Sequence, residues 1–175
     1  MRKLTHQEIV ERQKVRMRAP LLPLTVVLNN IRSLYNVGSI FRTADGAGVK
    51  KIFLCGITGT PEQAGVRKTA LGAEERVAWE HHPDVLTVVR KLKASGHQIA
   101  LLEQMDGSLP FERFEPQAPV CLVIGNEIEG LNPGLIPLCD AVIEIGMSGI
   151  KNSLNVAVAF GIVAYHVRTR LMPAG

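Results

Sequence analysis

Short apolar runs recur along the chain, and each ends at a polar junction. Residues 24–28, 51–55, 98–102, 120–124 and 141–145 are rich in Val, Ile and Leu with little polar alternation. Runs of that kind predict strands buried on both faces. Between them the apolar spacing changes to that of helices: about 37–47, then 83–95 with Val85, Leu86, Val89 and Leu92 on one face, then 154–170. Strands alternating with helices predict an α/β fold, a mainly parallel sheet with helices on both faces. The stretch 56–79, richer in Gly, Thr and charge, reads as a long connection holding a short helix.

Charge divides the chain unevenly. The net charge is +4, and residues 1–18 account for all of it, with Arg2, Lys3, Arg12, Lys14, Arg16 and Arg18 set against Glu8 and Glu11. Thr5-His-Gln-Glu8 is a capping-box pattern that opens a short helix before Pro20. Residues 1–20 therefore read as a basic arm and 21–175 as one domain. Arg12, Lys14, Arg16 and Arg18 are either the cationic carboxyl end of a solvated helix or a phosphate-contacting patch for nucleic acid.

Composition narrows the possibilities. With 46% hydrophobic and 21% charged residues the chain suits an ordinary globular core. No stretch matches a membrane span, and no signal or transit pattern opens the chain, so a cytoplasmic protein is expected. Cys55, Cys121 and Cys139 lie far apart in apolar contexts and read as buried free thiols. His81-His82 has no Cys, Asp or Glu partner at metal-ligand spacing, so no metal is expected.

In open α/β sheets ligands bind beyond the carboxyl ends of the strands. Three of those junctions are unusually furnished. Asn29-Asn-Ile-Arg-Ser follows the first run, Gly125-Asn-Glu127-Ile-Glu-Gly130 the fourth, and the polar turn 145–155 the fifth. In that last turn Asn152, Ser153 and Asn155 exceed what one helix cap requires, and Gly146 and Gly149 are read as permitting close approach of a ligand or second backbone. A dinucleotide-binding fold would place Gly-x-Gly-x-x-Gly after its first strand, and that pattern is absent here.

Three segments in order, Asn36-Val-Gly-Ser-Ile-Phe-Arg42-Thr-Ala-Asp-Gly-Ala-Gly48, Leu122-Val-Ile-Gly-Asn-Glu127-Ile-Glu-Gly130-Leu and Ser153-Leu-Asn155-Val-Ala-Val-Ala159, resemble the three motifs of the SpoU (TrmH-like) family of RNA ribose methyltransferases, within the SPOUT class. The resemblance implies a deep trefoil knot at the carboxyl end, an exception to the rule that chains do not thread their own loops. It implies an S-adenosylmethionine pocket lined by Gly125, Ile145 and Leu154, with Glu103 a further candidate. It also implies methyl transfer to a ribose 2′-hydroxyl of tRNA or rRNA, by a homodimer paired through the knot region.

Carried over by motif, the catalytic candidates are Arg42, Asn36, Glu127, Ser153 and Asn155. Arginine is almost never neutral, so Arg42 reads as an electrostatic group that stabilises the alkoxide or clamps a phosphate. Asn36 orients Arg42, binds substrate, or caps the helix that follows. Glu127 holds the arginine or the helix-start amides, and Ser153 and Asn155 bond the ribose or phosphate or stiffen the loop. Ile145 and Leu154 also fit plain core positions. A noncatalytic RNA-binding member and a knotted base methyltransferase are the competing readings.

Overall fold

The computed structural model describes residues 1–17, 19–126 and 129–172, the side chain of Arg16 excepted. Among these residues the strands are β1 Leu22–Asn29, β2 Val49–Cys55, β3 Ala78–His82, β4 Gln98–Leu102, β5 Leu109–Pro110, β6 Val120–Ile124 and β7 Ala141–Glu144. They form one sheet in the order β3-β2-β1-β6-β4-β7-β5, and every pairing is parallel. The α-helices are α1 His6–Arg16, α2 Leu34–Ala47, α3 Ala64–Ala70, α4 Val85–Ala94 and α5 Val156–Leu171.

The period-2 alternation of the central strands sends side chains into two separate cores. Leu24, Val26 and Leu28 of β1, with Leu122 and Ile124 of β6, face Ile40, Phe41 and Ala44 of α2 and Phe160, Val163 and Val167 of α5. Val27, Cys121 and Val123 face the opposite way, onto Val85, Val89 and Leu92 of α4. Strands with both faces covered carry no polar face, which explains the unbroken apolar runs.

The five expected strands and three main helices are present within a few residues of their expected bounds. The capping box also forms, with Thr5 Oγ1 accepting from the Glu8 amide at 3.3 Å and a Glu8 carboxylate oxygen accepting from the Thr5 amide at 2.8 Å. Two edge strands were not expected. The β3 segment Ala-Trp-Glu-His-His is mostly exposed, and β5 holds two exposed residues, so neither shows a buried-strand pattern. Within 56–79 the short helix is α3, followed by a single turn at Ala73–Glu75 and the start of β3.

Among the described residues no helix is long and apolar enough to cross a membrane. Nor does any group of three or more His, Cys, Asp or Glu lie in an arrangement that could hold a metal ion.

Candidate active site

A wholly parallel sheet delivers the carboxyl ends of all its strands to one edge. At that edge, beyond β4, β6 and β7, a cavity of about 440 Å³ opens, a volume within the range of small-molecule sites. Gly125, Ile145, Leu154 and Glu103 all line it, together with Ser153 and Asn155. Apolar Leu102, Ile124, Val156 and Ala159 complete much of the wall, so a flat apolar ligand would find packing surface and a few polar anchors.

The loop after β6 shows why residue 125 is glycine. A Cβ on Gly125 would stand 2.6 Å from the carbonyl carbon and oxygen of Gly130, because the loop folds directly back over it. Asn126 holds that fold. Its amide and carbonyl pair with Gly130 at 3.1 and 3.0 Å, and its Oδ1 accepts from the Glu129 amide at 2.9 Å. Its Nδ2 donates to the Asn30 carbonyl at 2.8 Å, which ties this loop to the one after β1. Asn30 in turn sits in the left-handed region, with its Oδ1 accepting from the Ile57 amide at 3.1 Å. Buried Thr58 donates to the carbonyls of Leu28 and Cys55 and accepts from the Ile31 amide at 3.0 Å. The junctions after β1, β2 and β6 thus form one hydrogen-bonded frame. The sequence signal for Asn30 and Asn126 was their place after strands, but their joint role depends on contacts between distant segments.

In the turn 145–155 one polar residue caps the helix, and no second backbone comes close to the two glycines. Asn155 alone caps α5, accepting from the Ala157 amide at 2.9 Å, so Asn152 and Ser153 are not capping residues. Gly146 and Gly149 are not crowded and neither has a positive φ, since nothing stands within 4 Å of a Cβ built on either. Instead they border a second hollow of about 400 Å³, next to the first, with Gln104, Glu144 and Lys151. Gln104 Nε2 donates to the Asn152 carbonyl at 2.8 Å and braces the turn, while Ser108 Oγ donates to Glu144 Oε2 at 2.6 Å. Sequence reasoning did not single out Gln104.

Asn36 and Asn155 meet, with Asn155 Nδ2 donating to Asn36 Oδ1 at 3.0 Å. Asn36 is not the cap of α2. That role belongs to Ser33, whose Oγ accepts from the Asn36 amide at 3.3 Å. Arg42 is not gathered with these groups within one chain. It is exposed on α2, does not line the cavity, and lies six residues beyond Asn36, about 9 Å further along the helix at 1.5 Å per residue. Glu127 lies outside the described residues. Of the basic arm, Arg12 and Lys14 are exposed on α1, with Lys14 Nζ 2.7 Å from Glu11 Oε1, whereas the Arg16 side chain and all of Arg18 fall outside the described residues.

Residues 23–165 match the SpoU rRNA Methylase family. The chain is 29% identical over 152 residues to the tRNA (guanosine(18)-2'-O)-methyltransferase of Escherichia coli (strain K12), covering 87% of this chain and 66% of that protein. A TrmH/SpoU tRNA modifying enzyme from A. aeolicus superposes with a TM-score of 0.80 at 27% identity, covering 93% of this chain and 84% of the other. An AdoMet-bound rRNA methyltransferase from Sinorhizobium meliloti gives 0.79 at 29% identity, over 89% and 62%. The chain therefore spans just under two thirds of the length of the Escherichia coli protein.

Proposed function

This chain belongs to the SpoU family, and we propose that it transfers a methyl group from S-adenosylmethionine to a ribose 2′-hydroxyl of tRNA or rRNA, acting as a homodimer in the cytoplasm. One observation carries the reading. The cavity at the strand ends is walled by the second and third motif segments, and Asn155 on its wall is bonded to Asn36 of the first. The names of the relatives supply the reaction class.

The cavity fits the methyl donor on chemical grounds. Gly125, Ile145 and Leu154 present backbone and apolar surface for an adenine ring, and the Glu103 carboxylate is placed to accept from hydroxyls. When bound, S-adenosylmethionine supplies an electrophilic methyl group on a positively charged sulfur. The residues around it have to position a ribose oxygen and stabilise the negative charge that grows as its proton leaves. Ser153 and the Asn36–Asn155 pair offer hydroxyl and amide groups for that positioning.

In this reading Arg42 serves the site of a second copy, where its charge stabilises the developing alkoxide or clamps the adjacent phosphate. Its exposure and its distance along α2 from Asn36 support this. So do the exposed Val158 and Tyr165 of α5, apolar surface beside α2 that a partner would cover. The carboxyl-terminal knot is part of the same proposal. It is supported by the strand order, in which the chain passes from β6 across β4 to β7, and by the return of α5 to pack on α2.

The test is methyl transfer from labelled S-adenosylmethionine to separated tRNA and rRNA pools, followed by alkaline hydrolysis. A resistant labelled dinucleotide is the expected product. A fully hydrolysed labelled nucleotide would indicate a base methyltransferase, and RNA binding without transfer a noncatalytic member.

A further inference from the structure

We propose that Tyr35 is a stacking platform for a nucleobase of the RNA, with Lys68 supplying a phosphate contact beside it. The proposal rests on the RNA methyltransferase reading above and adds to it the group that grips the substrate next to the site.

Tyr35 and Tyr165 are the exposed rings among the chain's large aromatics. Phe41, Phe114 and Phe160 are fully buried, whereas Tyr35 keeps 53% of its surface exposed. It is the second residue of α2 and directly precedes Asn36, whose side chain is bonded to the cavity wall. Lys68 Nζ lies over the ring, 5.5 Å from its centroid.

The mounting is rigid. Thr69 Oγ donates to the Tyr35 carbonyl at 2.9 Å, and α2 and α3 approach so closely that a Cβ on Gly38 would sit 2.2 Å from the Val66 carbonyl oxygen. Arg32, just before α2, is exposed and paired with Glu129 Oε1 at 2.9 Å, so its charge is offset there and Lys68 is the cation at the ring.

An exposed aromatic face with flanking cations is the combination that binds unpaired nucleotides. The base stacks on the ring whatever its identity, and the cations meet the backbone. A protein partner would also cover an aromatic, but a lysine held over the ring, next to a site read as taking RNA, favours a polyanion.

Fluorescence anisotropy with labelled unfractionated tRNA and with rRNA fragments tests this directly. Tyr35→Ala should weaken RNA binding roughly tenfold, while Tyr35→Phe and Tyr35→Trp stay within about twofold of the parent. Lys68→Ala should lower the slope of log affinity against log salt by about one. S-adenosylmethionine affinity should not move in any of them. Equal RNA affinity for Tyr35→Ala and the parent overturns the platform, as does a Tyr35→Ala protein that falls to monomers, because the ring then belongs to a subunit contact. Failure of the parent to transfer methyl groups while Tyr35-dependent RNA binding persists would defeat the enzymatic reading and leave the platform standing.

Discussion

Asn155 and Asn36, 119 positions apart in the chain, are joined side chain to side chain at 3.0 Å. The two ends of the Asn155 amide have different work. Oδ1 caps α5 through the Ala157 amide, and Nδ2 fixes the Asn36 carbonyl oxygen. With that oxygen engaged, the Asn36 amide group has a defined orientation at the cavity rim.

Asn155→Ser separates the two tasks. Serine caps a helix about as well as asparagine, within a few tenths of a kcal/mol, but is too short to reach Asn36. Thermal stability should be nearly unchanged while methyl transfer falls roughly tenfold to a hundredfold through loss of orientation. Unchanged transfer by a folded Asn155→Ser protein would remove the pair from the site.

A methyl group at residue 125 has no space. Gly125→Ala sets a Cβ 2.6 Å from the Gly130 backbone, and the loop must move for it to fit. A cost of about 2 kcal/mol is expected from such overpacking, with weaker binding of S-adenosylmethionine because the displaced loop carries one cavity wall. Denaturant unfolding and calorimetric titration would check both. Native affinity in the variant would show that the loop does not shape the pocket.

The sheet was legible because its central strands are covered on both faces, so β1 and β6 carry unbroken apolar runs that survive without any partner information. The edge strand β3 was not legible, since Trp79-Glu80-His81 alternates with solvent and resembles a loop in composition. Gly125, Ile145, Leu154, Ser153 and Asn155 were singled out by the resemblance, and the structure brings them to one cavity. Arg42 shared their motif signal, yet it stands six residues beyond Asn36 on α2 and does not line the cavity. The frame of Asn30, Thr58 and Asn126 escaped notice. Each is an ordinary turn residue locally, and only the approach of three strand ends makes them a unit.

The thiols should react in a defined order. Burial pushes Cys55 up to about 12 and Cys121 higher still, so neither forms thiolate near neutrality. Cys139 is also raised by burial, but it is only half-buried, with Sγ 3.1 Å from the Ile136 carbonyl oxygen. Alkylation at mildly alkaline pH, followed by peptide mass spectrometry, should mark Cys139 first and the other two only in denaturant. Labelling of Cys55 at the rate of Cys139 would contradict the buried assignment.

Asp140 links acid stability to the junction of β4, β7 and α4. Its Oδ2 accepts from the Ile99 amide at 2.8 Å and its Oδ1 from Lys93 Nζ at 2.9 Å, and these bonds, the amide first, hold its carboxyl below the usual carboxylate value. A lowered folded-state value means the stabilisation is present above the unfolded-state value and is lost as pH falls through the folded one. Asp140→Asn should cost about 1 kcal/mol at neutral pH, reduced from a buried pair because the group is partly exposed, and should flatten the acid limb of the stability profile. Parallel acid limbs for parent and variant would assign that limb to other carboxyls.

Whether Arg42 works in its own chain or in a second copy is decided by mixing. Arg42→Ala disables every site that needs the arginine, and Asn155→Ser weakens tenfold or more every site that needs the asparagine pair. If Arg42 crosses to the partner, a mixed dimer holds one site lacking both groups and one site with Asn155 from the first chain and Arg42 from the second. Random pairing makes half the dimers mixed with one good site in two, so co-refolding equal amounts should recover roughly a quarter of parental activity from two proteins that each keep about a tenth or less alone. If Arg42 acts within its own chain, every site in the mixture lacks one group and no activity returns.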